Sequence, residues 1–279
     1  MRAFQTARGL RVDAVCGPQT WGALVEAGYR LGDRLLYVRT PMQRGDDVAE
    51  LQRRLSALGF DPGRIDAIFG PDTRRALEEF QRNAGLPPDG ICGPATLREL
   101  ERLSARADVD HPVSSVRERL TLNPRSLPEL RVVVGDLGGA ATLAAATARS
   151  LRELGAAVVV LGDADESVQA AVANSHGADA YVGLLLTSGR GVVTYYASAG
   201  FVSAGGHALA CRLCSALEEV PGLTIDPPTG MRLTVLRETR MPAVLCELGP
   251  SDVVVPASAR VARQVTRAVE AWAAAPVDP

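Results

Sequence analysis

His207, Cys211 and Cys214 are the residues whose types and spacing most directly suggest chemistry. At i, i+4 and i+7 they share one face of a helix, and imidazole and thiolate ligands suit zinc. Cys246 is the only further thiol offered as a fourth ligand. A blander arrangement fits the same spacing: Cys211 and Cys214 as small core residues beside Leu213 and Leu217, with His207 near the start of the helix. The other two histidines carry less. His176 precedes Gly177 and suits a helix C-terminus, where a cation meets the dipole. His111 stands among Asp and Pro residues and suits a solvated loop.

The elements that must position such groups are bounded by composition. The 279 residues allow two or three domains. A net charge of −2 gives no electrostatic reason to bind nucleic acid or a membrane surface, and no apolar run is long enough to span a bilayer. Met1-Arg-Ala-Phe-Gln5 lacks the basic start and apolar core of a signal peptide. Five scattered cysteines suit reduced thiols better than a disulfide framework. These features together predict a cytoplasmic protein. A secreted or wall location is the alternative if a leader lies upstream.

A repeat organises the first hundred residues. Asp-x-(Val/Ile)-x-Gly-Pro-x-Thr-x-x-x-Leu occurs from Asp13 to Leu24, from Asp66 to Leu77 and from Asp89 to Leu100. Phe4-Gln5 stands to Asp13 as Phe80-Gln81 stands to Asp89, a shift of 76 residues. Gly tolerates unusual backbone angles and Pro fits a first helical turn, so each Gly-Pro-x-Thr predicts a turn opening a helix. Leu24, Leu77 and Leu100 are expected on the inner faces of those helices. Val48, Leu51, Leu55 and Leu58 predict an apolar helix face ended by Gly59.

This combination of an amphipathic helix, Arg64-Ile-Asp-Ala-Ile-Phe-Gly-Pro71, the Phe80-Gln81 helix and Gly85-Leu-Pro-Pro-Asp-Gly90 resembles the peptidoglycan-binding domain, a small three-helix module. The first copy corresponds only to the last third of such a module. A helix carrying Phe4 and Leu10 then either docks elsewhere or belongs to a protein whose start lies upstream of Met1, and the upstream start is the expectation. The resemblance implies a ligand groove between the second and third helices. Its rim would include Arg64, Asp66 and Arg74, each of which also suits a solvated surface charge.

Past Leu130 the pattern alternates strand and helix, which predicts a central sheet covered on both faces. Strands are expected at 131–134, 156–161, 178–186, 191–196, 233–236 and 243–248. Helices are expected from Gly139 to Leu154, Asp165 to His176, Ser203 to Val220 and Ser258 to Ala274. Arg131-Val-Val-Val with Gly138-Gly139, Ala173-Asn174 with Ala178-Asp179, Gly191-Val-Val-Thr-Tyr-Tyr196 and Leu233 to Gly249 resemble the zinc-dependent N-acetylmuramoyl-L-alanine amidases. That family cuts between the sugar lactate of peptidoglycan and the first stem-peptide residue. The resemblance implies one zinc held by His, Glu and His, and a separate Glu as general base. Here Leu137 stands at the first His position and Leu185 at or near the second, and no acid lies between Gly138 and Arg149 to supply the Glu ligand. Glu247 keeps the general-base position. Leu offers no lone pair, so hydrolysis by the family mechanism should fail and no cofactor is expected. Zinc enters only if an atypical site supports an active amidase.

The expected fold class is multidomain: small all-α peptidoglycan-binding modules followed by an α/β domain with a central mixed sheet. The expected boundaries are a truncated repeat at 1–38, a complete module at 39–104, a linker at 105–130 and an amidase-like domain at 131–279. The plan resembles an actinobacterial group of cell-wall regulators. It implies a non-hydrolytic pseudo-amidase that binds peptidoglycan or its precursors and acts on a cell-wall synthesis enzyme such as MurA.

Overall fold

The computed structural model describes residues 1–104 and 118–277. His111 and most of the expected linker lie outside the described residues. The chain divides into two compact units, Met1–Glu118 with Ser198–Phe201, and Arg119–Ala197 with Val202–Pro279.

The first unit is helical: α1 (Arg2–Ala7), α2 (Pro18–Glu26), α3 (Asp46–Ala57), α4 (Pro71–Asn83) and α5 (Pro94–Ser104). Each Gly-Pro does open a helix, with Pro18, Pro71 and Pro94 as first helical residues. Val48, Leu51 and Leu55 of α3 are fully buried against Leu77, Phe80 and Leu100 of α4 and α5. Phe60 meets Phe80 edge-on at 5.6 Å. Leu58 sits at the margin of this core, and Gly59 takes the left-handed φ of +88° that ends α3.

Leu24 departs from expectation. Leu77 and Leu100 are fully buried, but Leu24 is 37% exposed, alongside Trp21 at 63% and Val25 at 46%. Leu24 matches Leu100 in the repeat, and Leu100 is covered by α3. Among the described residues no helix stands in the place of α3 beside α2. Leu10 is nevertheless buried and Phe4 half-buried, with the Arg8 guanidinium 5.5 Å from the Phe4 ring centroid. Arg8 also pairs with Asp46 at the start of α3, at 2.7 Å.

The second unit is an α/β sandwich. Its strands are β1 (Arg131–Asp136), β2 (Ala157–Leu161), β3 (Ala180–Leu186), β4 (Gly191–Ser198), β5 (Phe201–Val202), β6 (Ile225–Met231) and β7 (Ala243–Leu248). The sheet order is β2-β1-β3-β7-β4-β5, with β6 on β4. β1, β2, β3 and β7 run parallel, while β4 runs antiparallel to β7, so the sheet is mixed. Alternate residues face opposite sides. Val132, Val134, Ala180, Val182, Val244 and Cys246 pack under α6 (Ala141–Glu153), α8 (Ala204–Leu217) and α11 (Ser258–Ala274). Val133 and Tyr181 point the other way, toward α7 (Glu166–Ser175) and α9 (Thr234–Glu238). A short α10 (Ser251–Val254) follows β7. Leu127, within the stretch expected as linker, is buried in the core of this unit.

The segment expected as a strand at 233–236 is the helix α9. Its first turn presents the Val235 N–H to a Glu166 carboxylate oxygen of α7 at 3.1 Å, and the two helices pack together. β6 is not among the strands expected from sequence, and it contains Pro227-Pro228. The prolines fall where the β4–β6 register slips between Val192 and Thr194, a bulge on a strand paired along one side only.

Candidate functional site

Two places gather the residues singled out by sequence. The first is the set of repeated turns in the helical unit. In each turn one buried glutamine acts as a hub. Gln81 Nε2 donates to Asp89 Oδ1 at 2.8 Å, to the Ile91 carbonyl at 3.0 Å and to Thr96 Oγ1 at 3.1 Å. Its Oε1 accepts from Gly90 N–H at 2.9 Å, and Asp89 Oδ1 accepts from Ile91 N–H at 2.9 Å. Gln5 makes the same bonds with Asp13, Val15, Thr20 and Ala14. Gln52 makes them with Asp66, Ile68, Thr73 and Ala67. The residue after each Asp is left-handed, with φ of 67° at Ala14, 64° at Ala67 and 69° at Gly90. That conformation points two successive N–H groups at the glutamine carbonyl and the Asp carboxylate. The backbone N–H of Val15 and then the Gln5 amide hold the Asp13 carboxyl below its ordinary pKa.

Asp66, expected on a ligand rim, therefore commits Oδ1 to closing its own turn. Arg74 is exposed, pairs with Glu78 at 2.6 Å and lies against the third turn at Gly90. Arg64 is half-buried two residues before Asp66. Sequence reasoning saw Phe-Gln as part of the repeat but gave the glutamines no role. The signal was present at Gln5 and Gln81, each eight residues before its Asp. At Gln52 the spacing is fourteen, which hides it.

The second place is the C-terminal edge of the parallel strands, where open α/β sheets hold ligands. Leu185 and Glu247 are register partners on β3 and β7, so their side chains share one face. Val192 of β4 flanks Glu247 on the other side. Leu137 follows β1, its N–H bonded to the Leu184 carbonyl at 2.9 Å. The sheet thus brings together Leu137, Leu185 and Glu247, all half-buried. Asp136 Oδ1 accepts from Gly138 and Ala140 N–H, shaping the Gly-Gly turn into α6. The first turn of α6 holds no acid. The alkyl side chains at the two positions assigned to His ligands cannot coordinate zinc, so the donor set does not fit the metal.

Behind this edge a further buried hub braces β1 and β3. Tyr181 OH donates to Gln169 Oε1 at 2.6 Å, and Gln169 Nε2 donates to the carbonyls of Asp136, at 2.8 Å, and Asp163. Burial pushes the Tyr181 phenol well above its usual range.

The candidate metal residues on α8 do not converge as a set. His207 Nε2 lies 3.6 Å from Cys211 Sγ, but the Cys214 thiol turns inward to the Asp226 carbonyl at 3.7 Å. Cys246 is fully buried, and burial pushes its thiol above the usual range. Among the described residues no three His, Cys, Asp or Glu side chains form a metal-binding group. All five cysteines are free thiols. No described helix is long and apolar enough to cross a membrane.

Comparison with known proteins bears on the second and third of the repeated turns. Residues 44–100 match the family described as "Putative peptidoglycan binding domain". The chain is 51% identical over 122 residues to the N-acetylmuramoyl-L-alanine amidase CwlM of Mycobacterium tuberculosis, covering 43% of this chain and 30% of that protein. It is 32% identical over 123 residues to the amidase CwlL of Bacillus licheniformis, covering 37% of this chain and 34% of CwlL. The chain thus spans about a third of the length of these relatives. Among solved structures, the amidase AmiC2 of Nostoc punctiforme aligns with a TM-score of 0.43 and 20% identity, over 50% of this chain and 96% of that chain. The protein therefore carries a peptidoglycan-binding domain at residues 44–100, followed by an α/β unit with a mixed sheet, in a sequence similar over part of its length to CwlM.

Proposed function

We propose that the chain binds peptidoglycan or its precursors through the module at 44–100, and that its α/β unit is a non-hydrolytic pseudo-amidase acting in cell-wall synthesis or its regulation. The observation that carries this reading is the pairing of Glu247 with Leu185 in register, beside Leu137, at the strand edge. A carboxylate in general-base position with alkyl neighbours in place of metal ligands has no activated water to deprotonate. The module at 44–100, by contrast, closes its core, and Gln52 and Gln81 complete the hydrogen bonds of its turns. On this reading the protein works in the cytoplasm near the membrane, needs no zinc, and has a precursor-synthesis enzyme such as MurA as its partner.

The test is a paired assay on the full chain. Co-sedimentation with insoluble peptidoglycan is expected, with no release of stem peptide from muropeptides whether or not zinc is added. Stoichiometric zinc together with cleavage would make the protein an active amidase with an atypical site. Failure to sediment and to bind soluble precursors would remove the binding half of the proposal.

A further inference from the structure

We propose that Cys211 is a reactive thiol, activated by His207, that forms mixed disulfides with low-molecular-weight disulfides. The two side chains lie one helical turn apart on α8, with His207 Nε2 3.6 Å from Cys211 Sγ. This is hydrogen-bond reach for a thiol, and a neighbouring imidazole is the group that converts a thiol to the nucleophilic thiolate. A third side chain orients the base: the Tyr195 ring of β4 packs edge-on to the imidazole, with centroids 5.0 Å apart and planes at 74°. His207, Cys211 and Tyr195 are all half-buried, so a small reagent reaches the sulfur while the ring stays held.

The other cysteines differ in kind. Burial pushes the thiols of Cys92, in the helical core, and Cys214, in the α/β core, up to about 12, and Cys246 is fully buried in the α/β core. Cys16 is exposed and provides the reference for an accessible thiol.

The step balances without an external oxidant. His207 takes the Cys211 proton, and Sγ attacks one sulfur of the incoming disulfide. The new protein–ligand S–S bond forms as the ligand's own S–S bond breaks. The departing thiolate then recovers the proton from the imidazolium. One disulfide is consumed and one is made.

The test treats the full chain with oxidised glutathione at neutral pH and follows each cysteine by peptide mass mapping. An ordinary thiol is only a few per cent ionised at neutral pH, so full ionisation, less the lower nucleophilicity that accompanies it, predicts modification of Cys211 about tenfold faster than Cys16. His207→Gln is expected to slow Cys211 to the Cys16 rate or below. A merely structural role for His207 would give the opposite sign, because a loosened helix exposes the sulfur and speeds labelling. Cys211 reacting no faster than Cys16 in the unaltered protein overturns the proposal, and so does an unchanged or raised rate in His207→Gln. The first comparison needs no variant to fold.

Discussion

Gln81 and Thr96 are fifteen residues apart and joined by a hydrogen bond of 3.1 Å from Nε2 to Oγ1, and Gln5 and Thr20 repeat that spacing and that bond at 3.2 Å. In both, the helix bearing the glutamine and the helix bearing the threonine are tied by side chains buried to about the same degree, with no large apolar contact required at the turn. The repeat is thus held by a polar hub as well as by its buried leucines, and its stability should respond to both.

Gln52→Leu tests this directly. The substitution fills the space but takes a bond each from the Asp66 carboxylate, Thr73 Oγ1 and the Ala67 N–H, while Asp66 keeps the Ile68 N–H and Thr73 keeps the Pro62 carbonyl. Leaving a buried polar group unsatisfied costs roughly 1–3 kcal/mol, so the helical unit should lose about 1–3 kcal/mol. Urea unfolding of the full chain would show an early transition, and peptidoglycan co-sedimentation should fall with it.

The first turn should open in acid. Asp13 has a folded pKa depressed below its ordinary 3.8, so its contribution is present above that value and lost as pH falls through the folded pKa. The side-chain amide protons of Gln5 report this in an NMR titration. They should shift below pH 3.8 and hold steady above it.

Arg34→Met isolates a second polar contact. Arg34 bonds Asp47 through Nε at 2.7 Å and Nη2 at 3.1 Å, and the Asp47 side chain is 1% exposed. Breaking one partner of a buried pair typically costs 3–5 kcal/mol; Arg34 is itself 21% exposed, so a loss of roughly 2–3 kcal/mol is expected. Arg34→Met with Asp47→Ala should recover part of it. The Arg34 guanidinium also lies 3.7 Å over the Tyr29 ring, and a double variant no more stable than the single one would show that this packing matters more than the charge pair.

In the α/β unit, Gly135→Ala should be poorly tolerated. A Cβ at Gly135 would run into Gln169 Oε1 and the Tyr181 hydroxyl, which are bonded to each other. Overpacking of this kind costs about 1–3 kcal/mol, and here it also parts a buried hydrogen bond. Thermal unfolding should show the second unit melting earlier while the first is unaffected.

Leu137→His combined with Leu185→His asks whether the strand edge keeps the geometry of a metal site. Both positions stand at the ends of adjacent strands, and a Cβ on Gly138 would approach Leu185 Cδ1 to 2.8 Å, so the two loops are close. The double variant is expected to take up zinc where the parent does not, measured by metal analysis after dialysis. Equal zinc in both proteins would mean that two imidazoles at these positions, without the missing carboxylate ligand, do not rebuild the site.

Much of the architecture was legible because it rests on local rules. Gly-Pro marks helix starts, α3 announces its apolar face, and the strands at β1, β3 and β7 are continuous apolar runs. The failures are tertiary. Leu233-Thr-Val-Leu236 has strand composition, yet packing on α7 and the Glu166 carboxylate at its first turn make it a helix. Leu24 has the right residue type in the right register, but its burial depends on a neighbour that local sequence does not specify. The glutamine hubs show a third limit: Gln52 performs the work of Gln81 from a different point in the chain, and only the fold makes them equivalent. At the strand edge, sequence supplied the roster of Leu137, Leu185 and Glu247 by resemblance, while their adjacency comes from strand register.

The hub also changes what counts as the repeating unit. Each glutamine, its turn and the following helix satisfy their own polar groups, so the segment is chemically closed even where its outer apolar face is not. The second and third clips share α4, which carries Thr73 of one and Gln81 of the other, so those two stand or fall together, while the clip from Gln5 to Glu26 shares no helix with them.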